Sequence, residues 1–130
     1  MSPGFLKPLV NAPREPFALR NARNGLVVAE RLEPAFDSDT RRKGLMGRDG
    51  LAAGSALVIA PSNSVHTFFM RFPIDIVFAG RDGRVLKIRP EVAPWRIAGA
   101  LRGFAVIELP SGSARQADVR AGDLLEVVPV

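Results

Sequence analysis

The sequence contains no cysteine and only one histidine among its 130 residues. The absence of cysteine excludes disulfide bonds, thiolate metal sites and paired-thiol redox chemistry. One histidine leaves carboxylates as the other possible metal ligands, and their spacing matches no ligand loop, so we predict no metal site. We predict no cofactor either, because the glycine-containing segments fit neither a dinucleotide-binding nor a phosphate-binding fingerprint.

The sequence also lacks an apolar run long enough to cross a bilayer. Its first residues are interrupted by Pro3 and Pro8, so they lack the continuous apolar core of a secretory signal. We therefore expect a cytoplasmic protein, or a periplasmic or exported one if a signal has been removed. The lack of cysteine is compatible with either compartment.

Length and composition are those of one soluble globular domain. A chain of 130 residues can bury a sizeable core, and 47% hydrophobic with 24% charged residues is ordinary. The net charge is +5, and the basic excess lies in residues 1–50 and 71–102. This excess is compatible with an anionic partner, although an arginine-rich solvated surface is the simpler interpretation. No basic block is long enough to indicate a nucleic-acid-binding arm.

Residues 65–80 form the densest apolar segment of the chain. They include four of the eight phenylalanines, the only histidine, and Asp75 between two isoleucines. We predict two core strands interrupted at Pro73, one over residues 65–71 and one from Ile74 to Ala79. Both faces of the first strand are largely apolar, so we expect it to be covered on both sides. In the second, Asp75 shares a face with Val77 and Ala79.

Short apolar segments between turn signals predict the other strands. One hairpin joins residues 17–20 to residues 25–32 through Asn24-Gly25, and Asp82-Gly83 supplies the positive φ angles of a second, primed turn. The remaining predicted strands are residues 55–61, residues 84–89 (ended by Pro90), residues 104–109 and residues 124–128. Many short strands at such intervals indicate a mostly antiparallel sheet that curls on itself.

Two short helices are predicted, over residues 38–46 and 113–119. Asp37 or Ser38 can cap the first, and Gly47 can adopt the left-handed conformation that ends it. The four prolines of residues 1–16 argue against a helix there and indicate an extended or loosely held arm. The predicted fold is mainly β (α+β by strict count). It has this arm followed by a single compact, barrel-like domain over residues 17–130.

Four segments, taken in order, resemble domain-of-unknown-function family 192. They are Arg-Arg-Lys-Gly-Leu-Met-Gly-Arg from Arg41, Phe-Met-Arg-Phe-Pro-Ile-Asp-Ile-Val-Phe from Phe69, Asp82-Gly83, and Val-Ile-Glu-Leu-Pro-Ser-Gly from Val106. The resemblance extends over residues 27–128. It implies a small, mostly β, helix-poor fold and no particular activity. Many relatives have an export signal or lipoprotein anchor, which this sequence does not show.

On this resemblance, two groups of residues match the motifs of the family. Those that match its helix motif are Arg41, Gly44, Leu45, Met46 and Arg48. Those that match its strand motifs are Met70, Pro73, Asp75 and Glu108. Phe69 stands where many members of the family have tryptophan.

Asp75 is the most informative of the candidate site residues. A carboxylate between isoleucines must point to solvent or find a cation or several N–H donors, because an unpaired buried charge is very unfavourable. We expect it to pair with a basic group, with Arg41 and Arg48 as first choices. His66 is either a hydrogen-bonded core or rim residue or a proton shuttle. Trp95, in an irregular segment, either lines a pocket mouth or covers the core.

Two functions from different classes remain open. The first is a non-catalytic binding or accessory module, whose groove between the basic helix and residues 65–80 accepts a small anion. Arg41, Arg48 and His66 would then offer charge and hydrogen bonds. A protein partner is compatible with the same module. The alternative is a small hydrolase or transferase that uses His66 with Asp75. We favour the binding module, because no third polar group completes a catalytic arrangement.

Overall fold

The computed structural model describes residues 4–130, which fold mainly into short strands. In chain order the strands are β1 Phe17–Asn21, β2 Val27–Ala29, β3 Arg31–Ala35, β4 Ser55–Ile59, β5 Ser64–His66, β6 Ile74–Ala79, β7 Val85–Val92, β8 Ile97–Gly99, β9 Ala105–Pro110 and β10 Leu125–Pro129. The α-helices are α1 Lys7–Asn11, which follows a 3-10 turn at Gly4–Leu6, α2 Ser38–Lys43 and α3 Ser113–Gln116. No helix in this part of the chain is long and apolar enough to cross a membrane.

The strands form three sheets. The central sheet has the order β3-β4-β9-β6-β7, the second has the order β10-β1-β2, and β5 and β8 form a small third sheet. Among the strand pairs of residues 4–130, β3 and β4 are parallel and the others are antiparallel. The prediction of a mainly β, mostly antiparallel fold is confirmed. The barrel-like form is not confirmed, because the sheets of residues 4–130 do not close into a barrel.

β6 and β9 are the central strands, and apolar side chains pack against both of their faces. Successive side chains of a strand point to opposite faces. Ile76 therefore packs on one face with Leu45, which follows α2, and we call this the α2 face. Val77 packs on the other face with Ala114 of α3, and we call this the α3 face. Every residue of β6 is buried.

The predicted strand over residues 65–71 is wrong beyond His66. β5 ends there and pairs with β8, and the chain then turns, with a φ of 64° at Phe69. Thr67 holds the turn, because its hydroxyl donates to the carbonyl of Ala93 at 2.8 Å and accepts the N–H of Arg96 at 2.9 Å. The segment is therefore not covered on both sides, and Phe69 is 65% exposed.

The expectation that proline excludes a helix near the N-terminus is also wrong. Pro8 lies in the first turn of α1, where a missing N–H removes no hydrogen bond within the helix. Leu6 and Leu9 are fully buried and pack in a cluster with Val58. The described part of the arm is thus helical and docked. The prediction for residues 1–3 lies outside the described residues, and a domain boundary at residue 16 stays a prediction.

β7 does not end at Pro90, as predicted, but continues to Val92. The register with β6 shifts between Ile74, which is opposite Val92, and Ile76, which is opposite Arg89. Two β7 residues, Pro90 and Glu91, thus stand opposite Asp75 alone, which is a β-bulge. A proline is tolerated there because the residue in a bulge need not donate to the ladder.

The local turn and cap signals are confirmed with two corrections. Asp37 caps α2, since its carboxylate accepts the N–H of Thr40 at 2.8 Å. The helix ends at Gly44 rather than at Gly47. The hairpin at Asp82-Gly83 joins β6 to β7 as predicted, but only the glycine has a positive φ, of 93°.

Candidate functional site

A cleft of about 290 Å³ lies between α2 and β5. Basic side chains from α2 and polar ones from β5 surround it, and its floor is apolar apart from one carboxyl group. Its lining residues are Arg41, Arg42, Lys43, Gly44, Leu45, Met46, Ile59, Ser62, Ser64, Val65, His66, Met70 and Glu108.

Three consecutive basic residues of α2, namely Arg41, Arg42 and Lys43, form what we call the basic rim. They occupy the last turn of the helix, where the helix dipole favours positive charge. Arg41 is half-buried, and its guanidinium donates to the carbonyl of Phe36 at 3.1 Å, whereas Arg42 and Lys43 are exposed. The rim therefore presents positive charge to the cleft from a capped helix.

Glu108 is the carboxyl group on the floor. Its side chain is on the α2 face, because it alternates with Ile107 and Leu109, which pack on the α3 face. The residue is 1% exposed, and its Oε1 finds no hydrogen-bond partner among residues 4–130. Burial raises the pKa of Glu108 to about 7, against the opposing effect of the positive charge of Arg48. Both protonation states are therefore populated near neutral pH.

Gly44 separates the basic rim from Glu108. It has a φ of 50° and a ψ of −128°, a conformation that residues with a side chain rarely adopt. A Cβ at this position would lie 3.5 Å from Oε1 of Glu108. Gly44 thus lies directly against this oxygen, and both residues line the cleft.

The β5 side of the cleft contributes one imidazole and two hydroxyl groups. Nδ1 of His66 accepts the N–H of Phe68 at 3.2 Å, so the N–H of the ring is on Nε2. Ser62 donates its hydroxyl to the carbonyl of Ser64 at 2.9 Å. No group of three acidic or imidazole side chains within residues 4–130 is placed to hold a metal ion.

His66 also belongs to an exposed aromatic stack. Its ring lies 4.9 Å from that of Phe68, which lies 5.7 Å from Trp95, and Phe69 meets Trp95 edge-on at 4.8 Å. Trp95 is 56% exposed and has a φ of 69°. Trp95 therefore does not line the cleft and does not cover the core, which were the two alternatives that the sequence predicted.

Asp75 does not pair with a basic group, so this prediction is wrong. Its Oδ1 accepts the N–H of Glu91 at 2.8 Å, and its Oδ2 accepts the N–H of Ala114 at 2.9 Å. No ion pair found among residues 4–130 includes it. The carboxylate instead satisfies a donor in the β7 bulge and a donor at the start of α3. It lies on the α3 face, away from His66.

Arg48 lies beside the cleft rather than in its lining. Its guanidinium donates to Glu33 at 3.0 Å, and this pairing raises the pKa of Arg48. Of the five residues that the sequence singled out, the structure brings Arg41 and His66 together in the cleft. Arg48, Asp75 and Trp95 lie outside it.

The sequence interpretation did not select Glu108 as a site residue, although it matched the strand motif of the family. The signal was the same as for Asp75, a lone carboxylate in a strand of apolar residues. Arg42 and Lys43 were also missed. They follow Arg41 directly, and their contribution depends on how α2 faces β5, which the helix pattern does not specify.

Two solved structures are similar to the chain. A protein of unknown function from Novosphingobium aromaticivorans has 27% identity and a TM-score of 0.73, over 85% of this chain and 83% of that one. A protein from Sinorhizobium meliloti, whose name suggests a transcription regulator, has 25% identity and a TM-score of 0.76, over 87% and 92%. No curated protein is significantly similar.

The sequence profile of domain-of-unknown-function family 192, described as an uncharacterized ACR, matches residues 19–127. The match includes α2, β5 and β9, so every element that builds the cleft lies within it. The resemblance noted in the sequence motifs is confirmed, and the chain belongs to domain-of-unknown-function family 192.

Proposed function

We propose that the protein is a non-catalytic binding module whose cleft accepts a small anion. The observation that supports this most strongly is the basic rim, three consecutive cationic side chains on one wall of a cleft of about 290 Å³. Guanidinium and ammonium groups form strong, charge-assisted hydrogen bonds to carboxylate and phosphate oxygens. Opposite the rim, Nε2–H of His66 provides a further donor.

Glu108 is compatible with an anion because of its burial. An ionised carboxylate on the floor would repel a negatively charged ligand, but the raised pKa keeps a large fraction of this group protonated at neutral pH. A protonated carboxyl can donate a hydrogen bond to an anion. The floor and the rim can then bind the same ligand.

The alternative of a hydrolase or transferase that uses His66 with Asp75 lacks structural support. Asp75 lies on the α3 face of the central sheet, whereas His66, in the small β5–β8 sheet, lines the cleft on the α2 side. Both oxygens of Asp75 also accept backbone N–H groups. A general base needs its partner within hydrogen-bond reach. The binding module is therefore the better proposal.

Thermal unfolding in the presence of phosphate, sulfate, citrate and acetate tests the proposed function. We expect at least one of these anions to raise the Tm, because a ligand that binds the folded state stabilises it. Arg42→Ala and Lys43→Ala should reduce the shift, and added sodium chloride should weaken it. Arg115→Ala is the matched control, because this exposed arginine lies on α3 at the opposite face. An unchanged Tm with every anion, or equal loss in Arg115→Ala, would contradict the proposal.

A further inference from the structure

We infer that the ligand of the cleft is an anion that also has a hydrogen-bond donor, an O–H or N–H group, for Oε1 of Glu108. This inference rests on the proposed function and narrows its ligand class. Suitable compounds are small hydroxycarboxylates, hydroxyalkyl phosphates and amino acids. They share one feature, an anionic group close to a donor.

The first supporting observation is the unsatisfied oxygen of Glu108. Buried polar atoms in folded proteins are nearly always hydrogen-bonded. Oε1 lacks a partner within the described chain, although the residue is 1% exposed. The buried carboxyl of Asp75, by contrast, has a backbone donor on each oxygen. Glu108 lines the cleft, so a ligand there can supply the donor that the fold does not.

The second observation is the position of this oxygen relative to the basic rim. Gly44 follows Lys43 directly, and its missing Cβ would lie 3.5 Å from Oε1. The backbone that follows the rim thus lies against the acceptor. The rim and Glu108 line the same cleft of about 290 Å³, so a ligand that contacts both must have its donor close to its anionic group. This favours a compact ligand over one with distant polar groups.

Three other polar side chains of the cleft already have bonds within the chain. Ser62 donates to the carbonyl of Ser64, and Nδ1 of His66 accepts the N–H of Phe68. The guanidinium of Arg41 donates to Phe36 and retains further donors for a ligand. Glu108 is thus the acceptor in the cleft that most needs a donor.

Isothermal titration calorimetry with matched pairs of compounds tests the inference. Lactate is compared with propionate, and glycerol 3-phosphate with propyl phosphate, so that each pair differs in its hydroxyl groups. Alanine adds an amino donor to the propionate skeleton. We expect the donor-bearing member of at least one pair to bind about tenfold more tightly, as for a hydrogen bond to a buried charged or polar group.

Two variants of Glu108 test whether this side chain causes the tighter binding of the donor-bearing compounds. Glu108→Met has a similar size but only a weakly accepting thioether, and the preference should fall to less than about twofold. Glu108→Gln keeps a carbonyl oxygen and should retain most of the preference. Circular dichroism and thermal unfolding check that both variants fold; Glu108→Met suits this position because its surroundings are apolar. If Glu108→Met does not fold, equal binding of both pair members to the wild type still overturns the inference.

The outcomes separate this inference from the proposed function. If propionate and propyl phosphate bind as tightly as their hydroxylated partners, and Lys43→Ala weakens both, the inference is wrong and the proposed function stands. If the preference persists in Glu108→Met, the donor is recognised elsewhere and the inference is also wrong. If no compound of either series binds but one of the four anions above raises the Tm, the inference is wrong and the proposed function stands. If those anions also leave the Tm unchanged, both are wrong.

Discussion

Asp75 and Glu108 are two buried carboxyl groups on neighbouring strands, and the fold treats them differently. In the β6–β9 ladder Asp75 is opposite Leu109, and Glu108 is opposite Ile76, so the two are one step apart in register. Asp75 lies on the α3 face, where each oxygen accepts a backbone N–H. Glu108 lies on the α2 face, where Oε1 has no partner from residues 4–130.

The difference separates a structural acid from a candidate functional one. The carboxylate of Asp75 satisfies N–H groups that the β7 bulge and the start of α3 leave unpaired, so it holds these elements to β6. Glu108 lines the cleft together with the basic rim, and no contact of this kind requires its charge. A buried carboxyl alone is therefore weak evidence for function, and the partners of its oxygens decide between the two roles.

Among the carboxyl groups, Asp75 should contribute most to the free energy of unfolding. Asp75→Ala should lower the free energy of unfolding by about 3 kcal/mol, because it leaves two backbone donors without an acceptor. Urea denaturation of both proteins at pH 7 measures this difference. Asp75→Asn, which keeps one acceptor oxygen, should lose less. A loss below about 1 kcal/mol for Asp75→Ala would show that water replaces the carboxylate.

The contribution of Glu108 to stability should depend on pH. Its pKa is about 7 in the folded protein and 4.5 as the reference for the unfolded chain, so the folded state binds the proton more tightly. Stability from this group is complete below about pH 4.5 and is lost as the pH rises through 7. Between about pH 5 and pH 7 the loss should be about 2 kcal/mol. Urea denaturation across this range should show the decline in the wild type.

Glu108→Gln is the variant that isolates this contribution, because its side chain does not titrate. Over the same pH range, its free energy of unfolding should change by about 2 kcal/mol less than that of the wild type. Parallel curves for the two proteins would mean that another group is responsible for the decline.

Gly44→Ala tests the close contact between Gly44 and Glu108. A residue with a side chain is strained at a φ of 50° and a ψ of −128°, so the variant should lose about 1.5 kcal/mol of stability. It should also bind the best anion of the screen more weakly, because the new methyl group lies against Oε1. Gly50→Ala is the matched control, since a Cβ there meets nothing within 4 Å. Equal affinity in both variants would contradict the role assigned to Gly44.

The smallest expected effect concerns a third buried carboxyl group, Asp123, which is paired as fully as Asp75. It accepts from Arg23 at 2.7 Å, Asn21 at 2.9 Å and the N–H of Arg120 at 2.8 Å. The hydrogen bond from Arg23 is the main cause that lowers the pKa of Asp123 to about 2. The stability from this group is present above the usual pKa of 3.8 and is lost as the pH falls through about 2.

Arg23→Ala should therefore be slightly less stable than the wild type above about pH 4, and the difference should close as the pH falls towards 2. Acid unfolding followed by circular dichroism shows this, with Arg115→Ala as the control. A difference that stays constant down to pH 2 would assign the effect of Arg23 to packing rather than to the charge of Asp123.

The sequence predicts those features that depend on neighbouring residues. The Asp37 cap, the Asp82-Gly83 hairpin and the alternation that places Asp75 with Val77 are local patterns, and the structure confirms them. The partners of Asp75 are not local, because Glu91 and Ala114 lie 16 and 39 positions away. The N–H of Glu91 is free to bond Asp75 because β7 bulges at Pro90 and Glu91. The sequence pattern had predicted that the strand ends at Pro90.

The candidate site depends even more than the fold on contacts between residues that are far apart in the sequence. Thr67 turns the chain after β5 through bonds to residues 93–96, and this turn cannot be read from an apolar segment that resembles a strand. Whether Oε1 of Glu108 has a hydrogen-bond partner depends on all the residues that surround it, so no single sequence motif reveals it. The basic residues of α2 were visible in the sequence, but the cleft that they face was not.

The most direct test of the account is an NMR titration of the side-chain carboxyl carbon of Glu108, with and without a hydroxylated anion such as lactate. We expect a midpoint near 7 in the free protein, and a clear change in chemical shift and midpoint when the anion binds. The carboxyl resonance of Asp75 should not respond to the anion. A Glu108 midpoint near the reference value of 4.5 that no anion changes, or an equal response at Asp75, would contradict the distinction between the two acids.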